Sequence, residues 1–158
     1  MRGRSMAGYN LAERRGTGAA VAKVLIVDDE PDILLMLRAR LESHGYETAL
    51  AADGETALQR VADQGYDVML LDVTMPVMDG WGVLDRLAGH PSPPRVVVVS
   101  AKTSGGDLAR ALQLGALDYL TKPFDPSDLD RVVGEILALD PAQFDTYRRA
   151  RLARAGLS

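Results

Sequence analysis

Four apolar stretches of this sequence end on polar or charged side chains that could form one site. Asp28 and Asp29 follow the first stretch, Asp72 the second and Ser100 the third, and Lys122 stands just behind the fourth. In an open parallel sheet, ligands bind beyond the carboxyl ends of the strands. If the four stretches are such strands, the sequence predicts one pocket that holds three carboxylates, a hydroxyl and an ammonium group.

The predicted pocket has the groups needed for phosphoryl transfer. Three neighbouring carboxylates repel one another, and without a cation one of them would have its pKa raised. An all-oxygen site with few protein ligands suits Mg²⁺, which keeps several of its waters. Lys122 supplies a second positive charge. We therefore expect Mg²⁺, Lys122 and Ser100 to hold the charge on the phosphoryl oxygens while Asp72 attacks in line.

Each of these residues also has a simpler interpretation when it is taken alone. Asp28 or Asp29 could cap a helix that starts near Pro31, and Asp72 could form the turn that follows its strand. Ser100 could be an ordinary loop hydroxyl, and Lys122 a solvated lysine. The functional hypothesis rests on all of these residue types occurring together at successive strand ends.

Five strand candidates alternate with five helical patterns between residues 24 and 139. The strands are predicted at Val24–Val27, Glu47–Ala51, Val68–Leu71, Val96–Val99 and Tyr119–Leu120. The helices are predicted from residue 31 to about 43, and over about 54–64, 80–88, 105–114 and 126–139, where apolar residues recur at helical spacing. Such alternation implies right-handed crossovers. We predict an α/β fold, a flavodoxin-like doubly wound sheet of five parallel strands in the order 2-1-3-4-5, with helices on both faces.

Composition limits the class of protein. The chain has 158 residues, enough for one domain with a core, and it contains no cysteine, which excludes disulfides, thiolate metal sites and thiol catalysis. No apolar run approaches the roughly 18 residues that span a bilayer. The net charge is −4 overall, +4 over residues 1–23 and +3 over residues 141–158, which leaves −11 for residues 24–140. An acidic body argues against direct binding of nucleic acid.

The two ends differ from the body between them. Residues 1–22 are rich in glycine and arginine without periodicity, and we interpret them as a flexible leader. Their composition also fits a transit peptide, although an over-extended start, with Met6 as a second start, explains it better. Residues 23–140 form the predicted domain. Residues 141–158 form a basic tail that could be helical, with three apolar residues on one face, namely Phe144, Tyr147 and Leu152.

The motifs at the strand ends resemble those of the receiver domain of two-component response regulators, over residues 24–139. The resemblance is carried by four motifs: Val27-Asp28-Asp29-Glu30, Leu71-Asp72-Val73-Thr74-Met75-Pro76 with Asp79-Gly80, Val99-Ser100-Ala101, and Tyr119-Leu120-Thr121-Lys122-Pro123-Phe124. The resemblance implies a phosphorylation-dependent signalling switch rather than an enzyme. Asp72 would accept a phosphoryl group from a sensor histidine kinase or a phosphotransfer protein.

The same resemblance assigns roles around Asp72. Asp29 and Asp72 would bind Mg²⁺ together with the backbone carbonyl of Thr74, and Asp28 would act mainly through water. Ser100 would move toward the phosphoryl group, with Tyr119 rotating inward behind it.

Three further assignments come from the family. Lys122 would pair with a phosphoryl oxygen, and its bond to Pro123 would be cis, which only an X-Pro bond allows cheaply. Thr74 and Lys102, each two residues after a site residue, would influence the lifetime of the phosphoryl group.

Other classes of protein remain as alternatives. A Mg²⁺-dependent phosphatase with an aspartate nucleophile needs a second acid two residues after Asp72 as proton donor, and Thr74 stands there. A flavodoxin or nucleotide binder needs a phosphate loop after the first strand, where acids would repel phosphate. A degenerate receiver would lack an acid or the lysine. A receiver fragment of a larger regulator is the alternative to a single-domain protein.

We expect the signal to be read on the face formed by the fourth helix, the fifth strand and the fifth helix. Leu114 and Leu117 stand where the winged-helix transcription factors of this family usually have polar or acidic residues, which predicts a more apolar docking surface. The downstream partner is an unknown protein, and this face could also form a homodimer. We expect neither direct nucleic-acid binding nor membrane insertion, and a cytoplasmic location.

Overall fold

A computed structural model of the chain describes residues 21–101 and 104–157, and a five-stranded parallel sheet forms its centre. The strand order is β2-β1-β3-β4-β5, with strands at Lys23–Val27 (β1), Glu47–Ala51 (β2), Val68–Leu71 (β3), Arg95–Ser100 (β4) and Asp118–Thr121 (β5). The predicted flavodoxin-like fold is therefore confirmed, and β4 and β5 extend one residue further at each end than predicted.

Each strand is followed by a helix, and a further helix follows at the carboxyl end. The helices are Pro31–Ser43 (α1), Gly54–Asp63 (α2), Gly80–Leu87 (α3), Gly105–Gln113 (α4), Pro126–Ala138 (α5) and Phe144–Arg154 (α6), with a short 3₁₀ helix at Pro141–Gln143. Side chains of Asp53, Asp79 and Ser104 accept hydrogen bonds from the first turns of α2, α3 and α4. These caps fix where the three helices begin after their loops.

Two apolar layers hold the helices on the sheet. Alternate strand residues such as Leu25 and Met69 pack against α2, α3 and α4, whereas Ile26 and Leu70 pack against α1 and α5. The inner strands are buried on both faces, as their unbroken apolar sequences predict. This three-layer arrangement brings the carboxyl ends of β1, β3, β4 and β5 to one edge of the sheet.

The prediction of an apolar docking surface at Leu114 and Leu117 is wrong. Leu117 is 1% exposed and belongs to the core layer beneath α1 and α5, because its N–H donates to the carbonyl of Val96 and so places it beside β4. Leu114 is half-buried and packs against the opposite layer. Both leucines contribute to the core.

The ends of the chain are described unequally. Of the predicted leader, only Val21 and Ala22 lie within the described residues. The basic tail forms the helix α6, and Phe144, Tyr147 and Leu152 all pack against the core layers. Between residues 21 and 157, leaving out 102 and 103, no helix has the length and apolar character that crossing a membrane requires.

Candidate functional site

Sheet register places two of the predicted acids side by side. Val27 of β1 pairs with Leu71 of β3, so that Asp28 and Asp72, the next residues, leave neighbouring strands at the same level. The N–H of Asp72 donates to the carbonyl of Val27 at 3.0 Å, which extends the pairing into the site. Asp28 is 2% exposed and Asp72 is 5% exposed. Two carboxylates are therefore held together in a largely buried position.

Asp29 completes a cluster of three carboxylates. One oxygen each of Asp28, Asp29 and Asp72 lies within 4.8 Å of the other two. Asp29 itself is exposed, unlike its two neighbours. The cluster thus opens to solvent on the side of Asp29, where a hydrated cation can enter.

Lys122 reaches the cluster from the far strand β5. Its Nζ lies 2.6 Å from Oδ2 of Asp28, 3.4 Å from Oδ2 of Asp72 and 3.7 Å from Oε1 of Glu30. The backbone N–H of Lys122 donates to the carbonyl of Ser100 at 2.8 Å, and its peptide bond to Pro123 is cis. An ammonium group on a side chain that is only 14% exposed therefore compensates part of the negative charge.

Ser100 and Tyr119 form the other side of the site. Ser100 ends β4 and is fully buried, and its side chain is hydrogen-bonded to that of Tyr119. Tyr119 is 5% exposed and belongs to the core layer beneath α4. The ring accordingly lies in the inward position.

The loop after β3 supports Asp72 closely. The N–H of Thr74 donates to Oδ1 of Asp72 at 3.0 Å, which brings the Thr74 backbone beside the acid. A Cβ at Gly80 would lie 2.6 Å from the Asp72 carbonyl oxygen and 2.6 Å from Cα of Val73. Only a residue without a side chain fits this approach of α3 to the loop.

The electrostatics of the site follow from burial and charge. Burial raises the pKa of Asp72 above its ordinary value, and the charge of Asp28 adds to the rise. The hydrogen bond from Thr74 and the charge of Lys122 lower the pKa of Asp72, but they do not cancel the rise. For Lys122, burial lowers the pKa, whereas Asp28 and Asp72 raise it and prevail. Asp72 thus carries a charge that its surroundings disfavour.

The cluster fits a hard divalent cation. Its ligands are carboxylate oxygens, which Mg²⁺ prefers, and three are few enough for the ion to retain waters. A cation here would favour the charged form of Asp72 and so oppose the rise in its pKa that burial and the charge of Asp28 cause.

Some residues stand apart from these expectations. Lys102, which the family resemblance connects with the lifetime of the phosphoryl group, lies outside the described residues. Sequence reasoning gave no separate role to Glu30, although its side chain reaches Lys122, and it did not connect the tail with β5. The arginines of the tail and Asp118 were the available signal, but charge alone does not specify a partner 33 positions away in the chain.

Residues 24–134 match the family described as the response regulator receiver domain. The curated relatives include the regulatory protein AtoC of Escherichia coli, 38% identical over 120 residues that cover 76% of this chain and 26% of AtoC. The transcriptional activator protein IrlR of Burkholderia pseudomallei is 39% identical over 127 residues, 80% of this chain and 55% of IrlR. The chain spans about a quarter to just over half of the length of these relatives.

Solved structures show the same architecture. The chemotaxis protein CheY4 of Vibrio cholerae superposes with a TM-score of 0.69 at 34% identity, over 74% of this chain and 99% of that one. A CheY-like receiver domain protein of Methanospirillum hungatei gives a TM-score of 0.70 at 26% identity, over 83% of this chain and 99% of the other.

Receiver domains are phosphoacceptor switches of two-component systems and not classical enzymes. They are phosphorylated by histidine kinases or phosphotransfer proteins, and they generally bind Mg²⁺ at an acidic pocket. The family match covers most of the chain, and the fold and the acidic cluster of this chain agree with the match. The chain belongs to the response regulator receiver domain family.

Proposed function

We propose that this protein is a two-component signalling switch that accepts one phosphoryl group on Asp72. The donor is the phosphohistidine of a sensor histidine kinase or a phosphotransfer protein. The observation that carries the proposal is the position of Asp72 between two further carboxylates and the Lys122 ammonium group, at the edge of the sheet where strands end. A buried carboxylate with a raised pKa is typical of a functional site.

In the transfer step, a carboxylate oxygen of Asp72 attacks the phosphorus in line with the leaving imidazole nitrogen. The phosphorus–nitrogen bond breaks as the phosphorus–oxygen bond forms, and the imidazole nitrogen keeps the electron pair and takes up a proton. The product on Asp72 is an acyl phosphate. Lys122, whose Nζ lies 3.4 Å from Asp72, pairs with the added negative charge. Positioning and charge stabilisation account for most catalysis of this kind.

The residues that would hold Mg²⁺ are Asp28, Asp29 and Asp72, with the Thr74 carbonyl completing the predicted set. When bound, the ion neutralises the carboxylates and stabilises negative charge on the phosphoryl oxygens. Lys122 bonds Asp28 more closely than Asp72. Of the two carboxylates, Asp72 is therefore the one less tightly paired with Lys122, which makes it the better nucleophile.

Ser100 and Tyr119 provide the conformational response in this proposal. Ser100 ends β4 at the edge of the sheet that holds the site, and its hydrogen bond to Tyr119 connects it to the layer beneath α4. A phosphoryl group on Asp72 would attract the hydroxyl and so change this pair. Thr74 and Lys102 are proposed to modulate the lifetime of the acyl phosphate.

The downstream partner is proposed to be a protein that reads the face formed by α4, β5 and α5, which we call the α4–β5–α5 face. Direct binding of nucleic acid is not part of the proposal, and a homodimer through this face is one form of the readout. The switch is proposed for residues 23–140, whether the chain acts alone or within a longer regulator.

Incubation with Mg²⁺ and acetyl phosphate, followed by intact mass measurement, tests the proposal. We expect one phosphoryl group on the wild type and on Asp125→Asn, and none on Asp72→Asn. Asp125 is a matched control because it is an exposed aspartate near Lys122 whose side chain makes no capping hydrogen bond to α5. Phosphorylation of Asp72→Asn at the same rate would refute the assignment, and continuous release of phosphate from a separate phosphomonoester would favour the phosphatase alternative.

A further inference from the structure

The C-terminal helix α6 lies along the outer edge of β5, where it covers part of the α4–β5–α5 face. The sheet order makes β5 an edge strand, with β4 on its inner side. Leu157, just beyond α6, contacts the position of Gly105 at the start of α4, and the Tyr147 hydroxyl lies 3.2 Å from Glu135 of α5. The helix therefore bridges both helices that flank β5.

Two arginines of α6 bind the backbone and side chains of β5 and the turn before it. Arg148 donates to the carbonyls of Ala116 at 2.9 Å and Gly115 at 2.8 Å. Arg151 donates to Oδ1 of Asp118 at 2.7 Å and to the carbonyl of Tyr119 at 3.3 Å. The arginines thus attach α6 to the segment that ends in the switch tyrosine.

Asp118 is the buried partner of this attachment. It is 3% exposed, and besides Arg151 it accepts a hydrogen bond from the Tyr147 hydroxyl at 2.5 Å. Its own Oδ1 also accepts the N–H of Tyr119 at 2.8 Å. Buried charge pairs are costly to break when one partner is removed. Docking of α6 and the conformation of Tyr119 are therefore connected through one residue.

Apolar contacts join α6 to the core layer in which the Tyr119 ring lies. Leu152 and Leu157 pack against the core layer that contains Tyr119. Ser100 holds the ring from β4, on the inner side of β5. A ring that leaves Ser100 must move away from β4, toward the outer side of β5, and this is the side where Arg148 and Arg151 hold α6.

We propose that α6 is a positioning element that holds Tyr119 inward against Ser100 by covering the edge of β5, with Arg148 and Arg151 as the positioning residues. The consequence for signalling rests on the proposed function of Asp72. The inward ring of Tyr119 is taken as the conformer that fits the site with a phosphoryl group on Asp72. Docking of α6 and phosphorylation of Asp72 then favour each other, because coupling between two sites is reciprocal.

Charge reversal on α6 tests the first half of the proposal without any phosphodonor. Arg148→Glu and Arg151→Glu place an anion against the carbonyl groups or Asp118, whereas Arg149→Glu makes the same change at an exposed neighbour. Nitration by tetranitromethane, mapped by peptide mass, reports the accessibility of Tyr119. We expect nitration of Tyr119 to rise about 5-fold or more in Arg148→Glu and Arg151→Glu. It should stay at the wild-type level in Arg149→Glu and close to that level in Arg151→Lys, which keeps the positive charge.

The milder substitution Tyr147→Phe removes a hydrogen bond to Asp118 but keeps the ring. It serves if a charge reversal prevents folding, which circular dichroism would reveal. We expect a smaller rise in Tyr119 nitration from it.

The second half is tested with beryllium fluoride and Mg²⁺ as a stable phosphoryl mimic. We expect Arg148→Glu and Arg151→Glu to bind it about 5-fold more weakly than wild type and Arg149→Glu. In the wild type, the mimic should slow hydrogen exchange across residues 144–154.

The outcomes separate this inference from the proposed function. Tyr119 equally protected in all folded variants would overturn the positioning role of α6. Increased nitration with unchanged affinity for the mimic would overturn the coupling to phosphorylation. If the variants show increased nitration but the wild-type protein neither binds the mimic nor takes a phosphoryl group, the positioning role of α6 is supported and the proposed function is refuted.

Discussion

Replacing Lys122 by methionine removes an ammonium group from between two buried carboxylates. The side chain of Lys122 is 14% exposed, and its Nζ lies 2.6 Å from Asp28 and 3.4 Å from Asp72. Methionine keeps most of the side-chain volume, so the change is mainly one of charge. We expect Lys122→Met to destabilise the protein when Mg²⁺ is absent.

The size of this effect follows from the burial of the pair. Removing one partner of a buried ion pair costs about 3–5 kcal/mol, because the other charge is left uncompensated. A domain of this size is stable by about 5–15 kcal/mol in total. The pKa of Lys122 is raised in the folded state, so its contribution is complete below its ordinary pKa of 10.5 and is lost as pH rises through the folded value. The full loss should therefore be seen at neutral pH.

Urea unfolding at pH 7 measures the change. The chain has a single tryptophan, Trp81, which is 8% exposed and lies 4.3 Å from the Arg110 guanidinium, so its fluorescence should report unfolding. Mg²⁺ should stabilise Lys122→Met more than the wild type, because the ion and the ammonium group compensate the same carboxylates. Mg²⁺ at 100 times its Kd stabilises by about 2.7 kcal/mol.

Lys23→Met is the matched control for this experiment. Lys23 begins β1, at the opposite edge of the sheet from the site, and its substitution makes the same change in net charge. A loss for Lys122→Met within about 0.5 kcal/mol of that for Lys23→Met, the range of ordinary surface changes, would refute the electrostatic account. An equal gain in stability from Mg²⁺ in the wild type and in Lys122→Met would refute it as well.

Three further predictions concern stability. Without Mg²⁺, Asp72→Asn should raise the melting temperature at pH 7, because the raised pKa of Asp72 means that its charge opposes folding. The gain should disappear below the ordinary pKa of 3.8, where the carboxyl group is protonated in the folded and the unfolded state. A lower melting temperature at pH 7 would contradict this prediction. Gly80→Ala should lower the free energy of unfolding by about 1–3 kcal/mol, because the added methyl group overpacks the loop. Gly134→Ala, which has open space around it in α5, should raise the free energy of unfolding by about 0.5–1 kcal/mol. Equal effects of the two substitutions would refute the close approach at Gly80. Leu117→Ala should cost about 2–5 kcal/mol and Leu35→Ala, 58% exposed, less than 0.5 kcal/mol; unfolding at similar urea concentrations would contradict the burial of Leu117.

Much of the fold could be predicted because the strand sequences leave little choice. Val68–Leu71 is apolar without interruption, so it must be covered on both faces, and helical periodicity on either side supplies the cover. The proposed site follows from this, since a residue that ends a parallel strand has its position fixed by the strand. Asp28 and Asp72 lie together because Val27 pairs with Leu71.

The readout face could not be predicted in the same way. Leu117 was expected on a docking surface because winged-helix members of the family usually have polar or acidic residues there, but its N–H donates to the carbonyl of Val96 and places it in the core. Asp118, the next residue, is 3% exposed, and its carboxylate accepts hydrogen bonds from Arg151 and Tyr147 of α6. Both outcomes depend on contacts between segments distant in the chain.

The sequence by itself determined the order of strands and helices and the identity of the residues at the strand ends, because those depend on local periodicity and on which residue follows each apolar run. The tertiary structure decided the distances among the carboxylates and Lys122, and the docking of α6 on β5. Local patterns specify which face of an element is apolar, but a contact such as that of Arg151 with Asp118 depends on the path of the chain between them.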